Sequence, residues 1–193
     1  IDIIPTIEAD KNLEVVGGPS ASYLGVHFNM HKPYFDAKLR RAMSLAIDRE
    51  LLIKTLFAGR TRITNGFQVP AYSNMFVKDH PYPKYDLQEA KKLVGESAYK
   101  GEAIPYYILN DYYPNEVNVA QAMVEMLRAA GINVQIEVKE NWAQVNIEDS
   151  NKIRALGMGN SSFTDLYGDP AGCLWRTFNQ NYDPYTKYNW KGA

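Results

Sequence analysis

Leu24, Val26 and Phe28 alternate with Tyr23, Gly25 and His27 across residues 23 to 29, the two-residue period of a strand. The turn Gly17-Gly18-Pro19 precedes this run, and Leu13 to Val16 before it alternates only weakly. The period then changes. Leu39, Ala42, Met43, Ala46 and Ile47 fall at helical spacing on one stripe, with Lys38, Arg40 and Arg41 off it. Asp36 is placed to cap this helix, with Pro33 just upstream. Asp48 caps a second helix that carries Leu51, Leu52, Thr55 and Leu56 and stops near Gly59. Residues 60 to 85 show no period and hold Gly66, Pro70, Pro81 and Pro83, which predicts a long segment wrapped along the scaffold.

Asp86-Leu87-Gln88-Glu89 opens a further helix in capping-box fashion, and Leu87, Ala90, Leu93 and Val94 form its apolar face. Ile104 to Leu109 reads as a strand, and 110 to 115 as a loop. Val119, Met123, Met126, Leu127 and Ala130 mark a long helix ended by Gly131, and Ile132, Val134, Ile136 and Val138 alternate after it. This strand, loop, helix and strand suit a βαβ crossover and an α/β fold. Trp142 to Asn151 reads as an exposed helix, Ile153 to Met158 as a short strand, Gly159 to Pro170 as a polar loop, and Ala171 to Phe178 as a helix. Asp169 is placed to cap that last helix, and the tail from Asn179 is polar and aromatic. No repeat, low-complexity stretch or linker divides the chain, so a single domain over residues 1–193 is expected.

Composition narrows the function. The chain of 193 residues is 46% hydrophobic and 22% charged, the balance of a soluble globular domain. Its net charge of -1 gives no long-range field for nucleic acid or an acidic membrane. The lone Cys173 allows no internal disulfide. Residues 1–193 contain no signal-peptide pattern and no transmembrane run, which says nothing of the parent protein. The opening Ile1-Asp2-Ile3-Ile4 reads as the middle of a longer chain, which leads us to expect an excised domain. The 14 tyrosines supply rings with a polar tip, suited to a binding cleft or to core and rim positions.

Catalytic patterns are absent. His27 and His31 are four apart, but His27 lies in a strand pattern and Pro33 follows, which does not suit zinc. The Gly17-Gly18-Pro19-Ser20 turn lacks the lysine and glycine spacing of a phosphate cradle. Ser161 and Ser162 have no histidine nearby in sequence. Carboxylates such as Asp165 and Asp169 could form an acid/base pair, but loop aspartates ordinarily form turns and caps.

Several of these segments together resemble one family. Asn29, Pro33-Tyr34-Phe35-Asp36, Leu39-Arg40-Arg41-Ala42, Ala46-Ile47-Asp48-Arg49-Glu50 and Gly59 resemble, in order and without gaps, the signature of family 5 extracytoplasmic solute-binding proteins. Tyr85-Asp86 with Ala90-Lys91-Lys92-Leu93, the run from Ala120 to Val134, and Phe163 to Pro170 resemble later elements of the same family. The resemblance implies most of the second, C-terminal lobe of a periplasmic-binding-protein type II fold, with a mixed β-sheet flanked by helices. It implies a non-enzymatic component of an ABC importer that closes two lobes over a small-molecule or peptide ligand. The implied partners are a first lobe, not among these residues, and a membrane ABC permease. No cofactor, metal or nucleic acid is expected, and the parent is expected to be a monomer in the periplasm or anchored outside the membrane.

The resemblance also places the ligand residues. They are Asn110 and Tyr112 in one loop, and Asn160, Phe163, Thr164, Asp165, Leu166 and Tyr167 in another. Dipeptide-binding members hold the peptide amine with an aspartate and its carboxylate with an arginine. Aligned on Gly168-Asp169-Pro170, the aspartate position is Leu166, with Asp165 one residue earlier, and Phe163 replaces a tryptophan. Aligned on Pro114-Asn115, the arginine position is Asn110, while Tyr112 is retained. A buried terminus without a counter-charge costs several kcal/mol. A longer peptide, an opine-like conjugate or a sugar is therefore expected in preference to a simple dipeptide. The competing readings are a hydrolase using loop carboxylates and an interaction domain that has lost its cleft.

Overall fold

The computed structural model describes residues 3–16, 21–149, 154–164 and 169–178. Four strands form one sheet: β1 (Ser22–Phe28), β2 (Ile104–Leu109), β3 (Val134–Lys139) and β4 (Met158–Thr164), in the order β1-β4-β2-β3. β2 runs parallel to both β3 and β4, while β1 is antiparallel to β4. The sheet is therefore mixed, and β2, β3 and β4 all end at one edge. The register Ser22 opposite Thr164 brings the start of β1 to that edge too.

Helices α1 (Ile4–Ala9), α2 (Ala37–Ala46), α3 (Arg49–Leu56), α4 (Leu87–Glu96), α5 (Glu116–Ala129), α6 (Trp142–Val145) and α7 (Pro170–Phe178), with a 3-10 helix over Pro70–Met75, complete the described elements. Caps set their starts. Asp36 accepts from the Leu39 N–H at 2.7 Å, Asp48 from Leu51 at 2.9 Å, Asp86 from Glu89 at 2.9 Å, and Asp169 from Ala171 at 2.7 Å. Each cap contributes about 1 kcal/mol. Burying one leucine or isoleucine contributes about 2 kcal/mol. The apolar stripes thus dominate. Leu39, Ala42, Met43 and Ala46 of α2 and Ala120, Val124 and Leu127 of α5 join Ile104, Tyr106, Ile108, Val134 and Met158 in one core. The opposite face of the sheet is covered in two patches. Tyr107 and Leu109 pack with Val145 and Leu156, and Tyr23 packs with Val69 and Tyr72.

Arg40, off the apolar stripe of α2, donates to the Phe35 carbonyl at 3.0 Å. The structure departs from the pattern in two places. The helix expected over 142–151 is only Trp142–Val145. The last strand is not 153–158 but Met158–Thr164, inside the segment whose polar residues predict a loop. Tertiary pairing overrides local propensity there. Seven residues of β4 pair with β1, and its polar side chains Asn160 and Thr164 find side-chain partners across the sheet edge.

Candidate ligand-binding edge of the sheet

β2 delivers the chain to the edge at Leu109. The loop 110–115 must then turn back into α5, and it does so through left-handed backbone at Asp111 (φ 55°) and Asn115 (φ 57°). Asparagine and aspartate tolerate that conformation better than other side chains. Asn115 donates to the Leu56 carbonyl at 2.6 Å, tying the loop to α3. Asp111 accepts from the Val117 N–H at 3.3 Å. Asn110 is exposed beside it.

Tyr112 and Tyr113 point to different surroundings. Tyr112 is 59% exposed, whereas Tyr113 is buried and its hydroxyl accepts from the Ser162 N–H at 3.0 Å. Burial raises the Tyr113 pKa, so the hydroxyl keeps its proton. The Tyr112 ring meets the Trp142 indole edge to face, with centroids 5.2 Å apart, and meets Tyr113 at 4.9 Å in the same way. Trp142 opens α6 directly after β3 and is 36% exposed. The pair forms an outward aromatic step on the C-terminal edge of the sheet. Next to it, Lys139 lies 4.0 Å over the Tyr107 ring and pairs with Glu137 at 2.7 Å, which raises the lysine pKa.

Behind this step is a buried polar chain. The Tyr106 hydroxyl donates to Asn160 Oδ1 at 2.5 Å, and Asn160 Nδ2 donates to Glu116 Oε1 at 2.8 Å. Glu116 also accepts from the Leu109 N–H at 3.3 Å and the Tyr113 N–H at 3.2 Å. Burial pushes the Tyr106 pKa up, and the nearby Glu116 charge adds to this. Glu116 is 3% exposed and stands at the start of α5, where the helix dipole favours an anion.

Of the sequence-marked residues, Asn110 and Tyr112 lie in the β2–α5 loop, and Asn160, Phe163 and Thr164 lie on β4. The two groups adjoin through the Tyr113–Ser162 and Glu116–Asn160 bonds. Phe163 is half-buried on the opposite face from Asn160. Its ring stacks on Tyr23 at 5.3 Å and meets Phe67 edge to face at 5.1 Å. The Thr164 hydroxyl is 3.0 Å from that of Ser22. Asp165, Leu166 and Tyr167 lie outside the described residues. A groove of about 610 Å³ runs between β1, α3 and α5, and Tyr113, Glu116, Asn160 and Phe163 reach its wall. A second depression of about 600 Å³, lined by Glu50, Lys54 and Tyr82, contains none of the marked residues.

Sequence reasoning missed Tyr106, Tyr113, Glu116 and Trp142. Trp142 carried a signal, since a large aromatic directly after a strand at its C-terminal end faces this edge. Glu116 carried none beyond an acid in the first turn of a helix, which is ordinarily exposed.

The comparisons agree with this architecture. The chain is 29% identical over 133 residues to the glutathione-binding protein GsiB of Escherichia coli (strain K12). It is 28% identical over 131 residues to the GsiB of Pectobacterium atrosepticum, covering 67% of this chain and 25% of that protein. The chain thus spans about a quarter of the length of these relatives. Its fold matches the oligopeptide-binding protein AppA of Bacillus subtilis, solved with a nonapeptide, at a TM-score of 0.80 and 20% identity, over all of this chain and 40% of that one. It matches DppA of Helicobacter pylori, solved with the peptide STSA, at a TM-score of 0.76 and 22% identity, over 90% of this chain and 33% of that one. These neighbours have the type II periplasmic-binding-protein fold. The model of the bacterial extracellular solute-binding proteins, family 5, matches residues 1–184, and the chain belongs to that family.

Proposed function

We propose that this chain forms one wall of the ligand cleft in the substrate-binding component of an ABC importer. The protein captures an oligopeptide or related small solute between two lobes and catalyses no reaction. The ligand residues are Asn110, Tyr112, Asn160, Phe163 and Thr164, with Asp165, Leu166 and Tyr167 in the adjoining segment. Tyr112 and Trp142 offer ring surface, and Asn160 also ties the wall together through its neighbours. The other lobe and a membrane permease are the partners, and the protein works outside the cytoplasmic membrane, anchored or free, as a monomer.

The observation that carries the reading is the exposed Tyr112–Trp142 step at the edge where three parallel strands end. Exposed aromatics held by a rigid scaffold are what a peptide-binding wall requires, since they give contact area at little entropic cost. The relatives are glutathione-binding proteins, and the solved neighbours hold peptides. None of the residues brought together at this edge includes a nucleophile paired with a base.

Calorimetry on the full-length protein tests this. Glutathione, the tetrapeptide Ser-Thr-Ser-Ala and the dipeptide Met-Leu serve as probes. The tetrapeptide is expected to bind at least about tenfold more tightly than the dipeptide, because a short zwitterion places both charges against neutral groups. Sub-micromolar binding of the dipeptide would refute the length preference. Hydrolysis of any probe by the purified protein would favour the enzyme reading.

A further inference from the structure

The two segments of the proposed ligand wall are far apart in sequence, yet one buried hydrogen-bond chain joins them. It starts at the Tyr106 hydroxyl on β2, passes through Asn160 on β4, and ends on Glu116 at the head of α5. Glu116 in turn holds the main-chain N–H groups of Leu109 and Tyr113, at the base and the middle of the 110–115 loop. The Tyr113 hydroxyl closes the circuit by accepting from the Ser162 N–H. Every bond has a fixed direction. Tyr106 donates, Asn160 accepts on oxygen and donates on nitrogen, and Glu116 accepts only.

We propose that Glu116 and Asn160 are positioning residues that lock the 110–115 loop to β4, so that the two halves of the ligand wall order together. This rests on the reading of that edge as the ligand wall. A surface carboxylate would not do the same work. At 3% exposure Glu116 has no water to replace a lost partner, so each bond it loses leaves a buried donor unmet. Side-chain networks of this kind couple their members beyond the sum of pairwise contacts. Tyr112, the exposed ring of the loop, sits one residue before the N–H that Glu116 holds. Releasing Tyr113 therefore displaces Tyr112 from Trp142.

The donor directions give three distinguishable variants. Glu116→Gln turns an acceptor into a donor and sets it against Asn160 Nδ2 or the Tyr113 N–H. Asn160→Asp sets a second carboxylate about 2.8 Å from Glu116, where two negative charges cannot both persist unless they share a proton. Combining Glu116→Gln with Asn160→Asp restores the contact between the two side chains. The introduced amide donates to the introduced carboxylate, which still accepts from Tyr106, and the amide oxygen still accepts from Tyr113, while the Leu109 N–H, which shares Oε1 with Asn160 in the parent, loses its acceptor.

The test is hydrogen exchange by mass spectrometry on the ligand-free full-length protein, read in peptides covering 109–117 and 158–164. Glu116→Gln is expected to raise exchange in both peptides at least about tenfold. Asn160→Asp is expected to do the same at pH 8 but much less at pH 5, where a shared proton rebuilds the bond. The double variant is expected to return the 158–164 peptide to within about threefold of the parent, and to bring the 109–117 peptide below the exchange of Glu116→Gln alone. The proposal is overturned if each single variant disturbs only its own segment, or if the Asn160→Asp effect is independent of pH and the double variant is additive. Tetrapeptide affinity, measured in parallel, separates the two claims. Coupled exchange without peptide binding retains the lock and removes the ligand-wall reading.

Discussion

Asn29 and Gly157 face each other across the sheet, the Asn29 N–H donating to the Gly157 carbonyl at 2.8 Å. The Asn29 side chain continues the clamp. Its Nδ2 donates to the Arg154 carbonyl at 2.7 Å and the Leu156 carbonyl at 3.0 Å, and its Oδ1 accepts from the His31 N–H at 3.2 Å. The residue is fully buried. One asparagine thus seats the approach to β4, and with it the strand that carries Asn160. Asn29→Ala is expected to destabilise the protein by about 2–4 kcal/mol in urea unfolding, because two buried carbonyls lose their donor. Asn29→Asp is expected to cost more, since one of its oxygens would face those carbonyls. Equal costs for the two variants would contradict the clamp.

Gly157 is needed for a different reason. A Cβ there would lie 2.9 Å from Ile104 Cγ2 and 3.2 Å from the Pro105 main-chain oxygen. The Gly157 N–H also donates to that oxygen at 2.9 Å, so the backbone cannot retreat without losing the bond. Gly157→Ala should cost about 1–3 kcal/mol, measured as a shift of the urea midpoint. A neutral result would mean that β2 and β4 tolerate a wider spacing.

His27 makes folding acid-sensitive. It lies half-buried on β1 opposite Gly159 of β4, and burial of its ring, with a contribution from Arg154, holds its pKa down to about 4 against an ordinary 6.5. The unfolded chain therefore binds a proton between pH 6.5 and 4 that the folded one does not, and stability falls as pH falls through that window. The whole contribution is about 3 kcal/mol. His27→Gln should flatten the pH dependence of unfolding between pH 6.5 and 4. Parallel curves for parent and variant would show that other groups control acid sensitivity.

How far the sequence carries can be judged from particular elements. Asp36, Asp48 and Asp86 each stand before an apolar stripe, and all three cap the helices that pattern predicts. Local signals suffice there because cap and stripe are set by residues within a few turns. β4 was hidden for the opposite reason. Ile153, Ala155, Leu156 and Met158 carry the apolar signal, yet the paired strand is the polar run after them. Its hydrogen bonds go to β1, β2 and α5, residues 44 to 142 positions away, which no local window contains. The site divides the same way. Family resemblance singles out Asn110, Tyr112 and Asn160, but the role of Glu116 follows only from burial and from the three donors that converge on it.

The central claim is that the Tyr112–Trp142 step contacts ligand, and the affinity of the Trp142→Ala variant for Ser-Thr-Ser-Ala tests it most directly. Trp142 is partly exposed on a short helix, so its removal should leave the urea midpoint nearly unchanged. Loss of an aromatic anchor of this kind commonly costs about 2 kcal/mol in binding. The account predicts a Kd at least about tenfold weaker than that of the parent, measured by calorimetry on the full-length protein. An unchanged Kd in a properly folded variant would place the ligand elsewhere.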